Sequence, residues 1–220
     1  MFPIGDDDTT VRTIPVVTYG LIAANVLFFL IELNGGDDFI KQWAFVPARF
    51  SDDPLANAPT IFTAMFMHGG WMHLFGNMLY LWIFGDNVED RLGPVPFLIF
   101  YLVCGVAATF LQYYFNEQSG VPNVGASGAI AGVLGAYMVM FPRADVRVLV
   151  IRQIVVMPAI VVIGFWIVLQ LFSGVGSIAN TDASSDQGGV AYMAHVGGFA
   201  AGLIIAFLLG GRGSGPTRTV

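Results

Sequence analysis

The sequence predicts an all-α polytopic membrane protein with six transmembrane helices. Three observations carry this. Of 220 residues, 56% are apolar and only 11% are charged, against about 45–50% and about 25% in soluble domains. The mean hydropathy is +0.73. Six apolar segments, each about long enough to cross a hydrocarbon core of about 30 Å, are separated by short polar stretches. This composition excludes an ordinary soluble enzyme and a disordered chain. Nine basic against fifteen acidic residues leave no polycation for a phosphate backbone, so no nucleic-acid partner is expected. The one cysteine, Cys104, excludes an internal disulfide and a cysteine zinc site. It reads as a small buried hydrophobe.

In chain order the segments are Ile14–Leu33, Trp71–Gly85, Val95–Phe115, Ala126–Phe141, Ile154–Phe172 and Val190–Leu209. The second is expected to extend upstream through Ile61–Met67. The organisation read from this is a segment of residues 1–13, a membrane domain of residues 14–210 and a tail of residues 211–220. The acidic start, Asp6-Asp7-Asp8, and the length of the first apolar run argue against a cleavable signal peptide. Six spans put both termini on one side. That side holds Arg12, Arg91, Arg143, Arg147, Arg152, Arg212 and Arg218, and the other only Lys41 and Arg49. The bias places both termini in the cytoplasm. The loop Asn34–Thr60 is then external, with Phe39, Trp43, Phe45 and Phe50 at the interface or packed within the loop.

Polar groups inside spans are costly and point to function. All three histidines, His68, His73 and His195, lie at or inside spans, joined by Asn77 and Ser127. Intramembrane carboxylates are essentially absent, with Glu32 read at a helix end. That argues against a two-aspartate protease or a carboxylate proton relay. Ser127 opens a span of only 16 residues. The fourteen steps to Phe141 cover about 21 Å, which sets Ser127 roughly 9 Å below the outer surface of the core. A helix N-terminus there offers free N–H groups and positive potential, the ingredients of an oxyanion site. His195 lies about 7–8 Å down its own span, at matching depth. His73 and Asn77 are four apart and share a helix face.

Small residues let membrane helices approach closely. Gly128 and Gly132 stripe the fourth span, Gly198 and Gly202 the sixth. A close crossing brings Ser127 to His195, and a serine with a base in hydrogen-bond reach is a nucleophile. Each feature alone also has a plain reading. Ser127 can bond a backbone carbonyl, the histidines and Asn77 can join helices, and His68 can cap the second helix. The conjunction is the sharper signal. His68 and His73 are five apart with no glutamate between them, so a helical zinc motif is absent. No metal or cofactor is expected.

Four stretches then resemble the rhomboid family of intramembrane serine proteases, between Phe62 and Gly202. They are His68-Gly69-Gly70-Trp71-Met72-His73-Leu74-Phe75-Gly76-Asn77, then Gly85–Gly93, similar to the family's turn after its second helix, then Gly125-Ala126-Ser127-Gly128 and Ala194-His195-Val196-Gly197-Gly198. The resemblance implies a rhomboid-like six-helix fold, with Ser127 as nucleophile and His195 as general base. It assigns the oxyanion to His73, Asn77 and the Ser127 N–H, with Gly125, Gly128 and His68 in support. It implies a water-filled cavity open to the outside and single-span membrane proteins as substrates, cut near the outer leaflet through an acyl-enzyme. Pro59-Thr60 replaces a Trp-Arg pair common in the family, so the first external loop is expected to pack differently. A minimal bacterial inner-membrane version is expected. The competing readings are a silent relative that binds client helices, and a transporter. A transporter should show pore charges or an internal repeat, and neither is present. The loop Ser173–Gly189, rich in small and polar residues, reads either as a mobile cap over the cavity or as a plain connector. The sequence carries no signal of oligomeric state.

Overall fold

The computed structural model describes residues 2–7, 11–179 and 191–210. It is mostly helical, with one small sheet. Strand β1 is Phe2–Gly5, β2 is Asp145–Val150 and β3 is Gln153–Pro158. The helices are α1 Val16–Trp43, α2 Pro47–Asp52, α3 Pro54–Asn57, α4 Thr60–Thr63, α5 Trp71–Leu92, α6 Pro94–Phe115, α7 Ser127–Met140, α8 Ala159–Ala179 and α9 Tyr192–Leu208. Three of them, α1, α6 and α8, are long and apolar enough to cross a membrane unaided. Helices α7 and α9 are apolar but span only about 21 and 26 Å at 1.5 Å per residue. Large apolar side chains face outward along these helices, including Leu27, Ile99, Phe110, Phe165 and Leu208. Apolar surface on this scale suits lipid rather than water.

Helix α7 is the centre. From Gly128 to Tyr137 every residue is buried, as an apolar helix without a polar face requires. Its partner α9 lies against it at backbone contact. A side-chain carbon on Gly198 would collide with the Gly128 carbonyl oxygen, one on Gly202 with that of Gly132, and one on Gly135 with that of Phe199. The expected close crossing of the two glycine stripes is therefore present. On the other side of α7, Cys104 of α6 occupies the space that a side chain at Gly132 would need, and the thiol is fully buried.

In the polar stretch Gly85–Gly93, residues Gly85–Leu92 form the last two turns of α5 and only Gly93 turns the chain. Glu89, 2% exposed, accepts from Val17 N at 2.9 Å, Thr18 N at 2.7 Å and Thr18 Oγ1 at 2.8 Å. It caps the free N–H groups that open α1. Asp90 accepts from Thr13 N at 2.9 Å and Thr13 Oγ1 at 2.6 Å. Gly93 then takes φ 84, and Pro94 starts α6 where its missing N–H costs nothing.

Four further expectations need correction. The protein is not all-α: the order β1-β2-β3 forms an antiparallel sheet. Its cause is the period-2 alternation of Val146 and Val148, both fully buried, with exposed neighbours. The fifth span starts at Ala159, since Ile154-Val155-Val156, apolar and β-branched, forms a strand instead. The upstream run Ile61–Met67 does not extend α5. It folds as α4 and a 3₁₀ turn, Ala64–Phe66, and the chain breaks before Trp71 at Gly70. Residues 34–43 continue α1 past a kink at Gly36 (φ 61), a conformation open to glycine. The N-terminal segment also packs on the membrane domain. Asp6 accepts from Tyr137 Oη at 2.5 Å, which ties β1 to the end of α7 remote from Ser127.

The loop lacking Trp-Arg is closed by Arg49, whose guanidinium donates to the carbonyls of Lys41 and Ala44 at the end of α1. Phe45 is buried there, 5.3 Å from the Phe50 ring, and Phe50 packs on Tyr113 of α6 at 5.3 Å. The aromatics of this loop thus include a packed cluster. Of the stretch 173–189, residues 173–179 belong to α8. The rest, and with it the cap reading, lies outside the described residues, as does the tail 211–220.

Gly202→Ala should destabilise the protein by about 1–3 kcal/mol, because all its nearest neighbours are backbone atoms of Gly132. Gly164→Ala, inside α8 with open space around it, should be neutral or stabilising by up to about 1 kcal/mol. Thermal unfolding in detergent checks this, and equal midpoints would show that α7 and α9 are not packed to backbone contact.

Candidate active site

Ser127 is the first residue of α7. Gly125 precedes it with φ 131 and donates its N–H to Ala64 O at 2.9 Å. That bond fixes the approach of the chain to the helix. No side chain caps this end, so the first N–H groups have no partner within the helix. His195 lies in the first turn of α9. The contact of the glycine stripes brings its Nε2 to 2.8 Å from Ser127 Oγ. Its Nδ1 is 2.8 Å from Gln170 Oε1 of α8. The Trp166 ring, one turn earlier on α8, packs on the imidazole at 5.7 Å between centroids.

His73 lies in the first turn of α5. Its Nδ1 accepts from Gly69 N at 3.3 Å, so the ring is neutral with its proton on Nε2. That Nε2 faces Gly125: a side-chain carbon there would be 2.9 Å from His73 Nε2 and 3.5 Å from Ser127 Oγ. The glycine allows the two groups to flank one point. Asn77, one turn further, is 8% exposed, and its Nδ2 has no partner. A buried amide donor without a partner is costly and is available to a ligand. His73, Asn77, Ser127, Trp166 and His195 line one cavity of about 1030 Å³.

His68 does not line it. The ring is 1% exposed and stacks edge-on behind His73 at 5.1 Å, with Phe29 on another side at 6.4 Å. It forms the wall behind His73. Gly128, Gly132, Gly198 and Gly202 hold the helix contact. Among the described residues no three His, Cys, Asp or Glu side chains are grouped to hold a metal.

Two residues escaped the sequence reading. Glu32 was placed at a helix end, yet α1 continues to Trp43, and Glu32 is 4% exposed and lines the cavity. It accepts from His68 N at 2.9 Å. Gln170 lies inside the apolar run of the fifth span. The signal for both was the same, one strongly polar group in an apolar helix.

A sequence profile of the Rhomboid domain matches residues 56–212. The chain belongs to the rhomboid family. The "Rhomboid protease GluP" of Bacillus subtilis is 31% identical over 202 residues, 89% of this chain and 35% of that protein. "Putative rhomboid protease YdcA" of the same organism is 30% identical over 134 residues, 60% of this chain and 65% of that one. "Rhomboid protein 1, mitochondrial" of Saccharomyces cerevisiae is 29% identical over 140 residues, 61% of this chain and 39% of that one. This rhomboid chain thus spans about a third to two-thirds of the length of these relatives. Family membership and the apolar helices make it a membrane-embedded protein.

Glu32→Ala would leave the buried His68 N–H without its acceptor. The expected loss is about 1–3 kcal/mol, and Glu32→Gln, which keeps an acceptor oxygen, should recover most of it. Thermal unfolding of the pair checks this, and an Ala variant as stable as the parent would remove Glu32 from the structural account of the loop.

Proposed function

We propose that this rhomboid is an intramembrane serine endopeptidase. One observation carries the reading: Ser127 Oγ and His195 Nε2 lie 2.8 Å apart on the wall of a large cavity. At that separation the imidazole takes the serine proton as Oγ attacks a peptide carbonyl. The developing oxyanion is met by the N–H groups at the start of α7, by His73 Nε2–H and by Asn77 Nδ2–H, the last a buried donor with no partner of its own. The tetrahedral intermediate collapses as the imidazolium gives its proton to the leaving amine. An acyl-Ser127 remains. Water, activated by His195, then releases the second product and restores the serine.

In this reading α1, α5, α6, α7, α8 and α9 cross the bilayer. Residues 14–210 form the membrane domain, and residues 1–13 and 211–220 lie in the cytoplasm. The arginine asymmetry supports that orientation. Ser127 then lies in the outer half of a bacterial inner membrane. The substrates are single-span membrane proteins whose helix must open locally, because an intact helix keeps its carbonyls bonded. The silent, client-binding reading gives no role to an intact, hydrogen-bonded Ser–His pair.

A fluorophosphonate probe should label the detergent-solubilised protein on Ser127, and Ser127→Ala and His195→Ala should not label. Asn77→Ala should lower kcat on a transmembrane substrate by about 10²–10³-fold. A folded parent protein that takes no label would transfer the case to the client-binding reading.

A further inference from the structure

We propose that Gln170 is a positioning residue for His195, making the reactive pair the end of a Ser127–His195–Gln170 relay across α7, α9 and α8. This rests on the protease reading and specifies how its base is armed. A neutral imidazole has one N–H and one lone pair. To take the Ser127 proton, His195 must present its lone pair at Nε2, which requires its own proton on Nδ1. The group at Nδ1 therefore decides whether the base works. Gln170 presents Oε1 to it at 2.8 Å. An amide oxygen is only an acceptor, so the contact selects the Nδ1–H tautomer. An amide turned the other way would donate to Nδ1, move the ring proton to Nε2 and disarm the base.

Among the described residues no other side chain is placed to do this. The groups around His195 are Ser127 of α7, Trp166 of α8, which packs on the ring, and His73 of α5 on the same cavity, itself neutral through its bond from Gly69 N. From α6, Gln112 Oε1 accepts from Ala194 N at 3.1 Å and so is engaged with the α9 backbone. The cavity's carboxylate, Glu32, bonds His68. None of these offers an acceptor to Nδ1. Gln170 sits in the run Val168-Leu169-Gln170-Leu171-Phe172, whose other members are exposed apolar residues. Gln170 itself is only half-exposed, its amide turned toward the imidazole. An amide orients the ring as a carboxylate would, but as a neutral dipole it stabilises the imidazolium less.

Kinetics and spectroscopy test this together. Gln170→Leu should lower kcat by about 10–100-fold, by analogy with the loss of the partner that orients a metal-bound histidine, with KM nearly unchanged. Gln170→Asn, too short to reach Nδ1, should share the defect. Gln170→Glu should restore kcat and move the acidic limb of the kcat/KM profile about one pH unit upward. The sign follows because a carboxylate beside the imidazolium raises its pKa, so the neutral base is lost at a higher pH. In protein labelled with ¹⁵N-histidine, His195 should be protonated on Nδ1 in the parent and become a tautomer mixture in Gln170→Leu.

The proposal is overturned if the parent His195 carries its proton on Nε2. It is equally overturned if Leu, Asn and Glu variants that unfold at the parent temperature keep parent kcat and an unshifted profile. The ¹⁵N spectrum needs no turnover, so it judges Gln170 even if the fluorophosphonate experiment removes the protease reading.

Discussion

The backbone contact between α7 and α9 is the constraint on which the rest depends. Two carbonyl oxygens, of Gly128 and Gly132, occupy the places where side chains of Gly198 and Gly202 would be. Within a membrane no hydrophobic effect drives helices together, so association relies on close packing and polar contacts. The same contact sets the distance between the first residue of α7 and the first turn of α9. Ser127 and His195 meet because their helices cannot be further apart without opening a void. Everything else places groups around that pair. α5 brings His73 and Asn77, α8 brings Trp166 and Gln170, and α6 fills the far side of α7 with Cys104.

The polar residues follow a common logic at both ends of the bundle. Two buried acids, Glu89 and Glu32, accept from backbone N–H groups that no helix or strand bond satisfies. Glu89 serves the start of α1, and Glu32 serves His68 at the break before α5. Chain breaks in an apolar setting are tolerable only with such partners. The break at Met67–Gly70 lets α5 begin at Trp71, which puts His73 in its first turn beside Gly125.

Much of this was legible in the sequence. Helix positions followed from apolar runs, and the depth match between Ser127 and His195 followed from counting residues at a fixed rise. The glycine stripes announced the close crossing. What the sequence hid were features where composition is ambiguous. Ile154-Val155-Val156 is apolar enough for a span, and only its β-branching and the alternation of Val146 and Val148 favour a strand. The length of α1 was hidden because Gly35-Gly36 looks like a terminus but acts as a kink. Glu32 was therefore set at an end instead of against the cavity. Gln170 could not be assigned from sequence, since its significance is the direction in which one amide points.

Cys104 shows what the tight centre means for motion. It is the sole thiol, fully buried, and pressed into the hollow above Gly132. No reagent reaches that sulfur while α6, α7 and α9 stay together. The rate at which a small maleimide modifies it is therefore a clock for transient opening of the core, in the way that amide exchange times local unfolding. The native thiol makes the protein's own breathing measurable without altering a single residue.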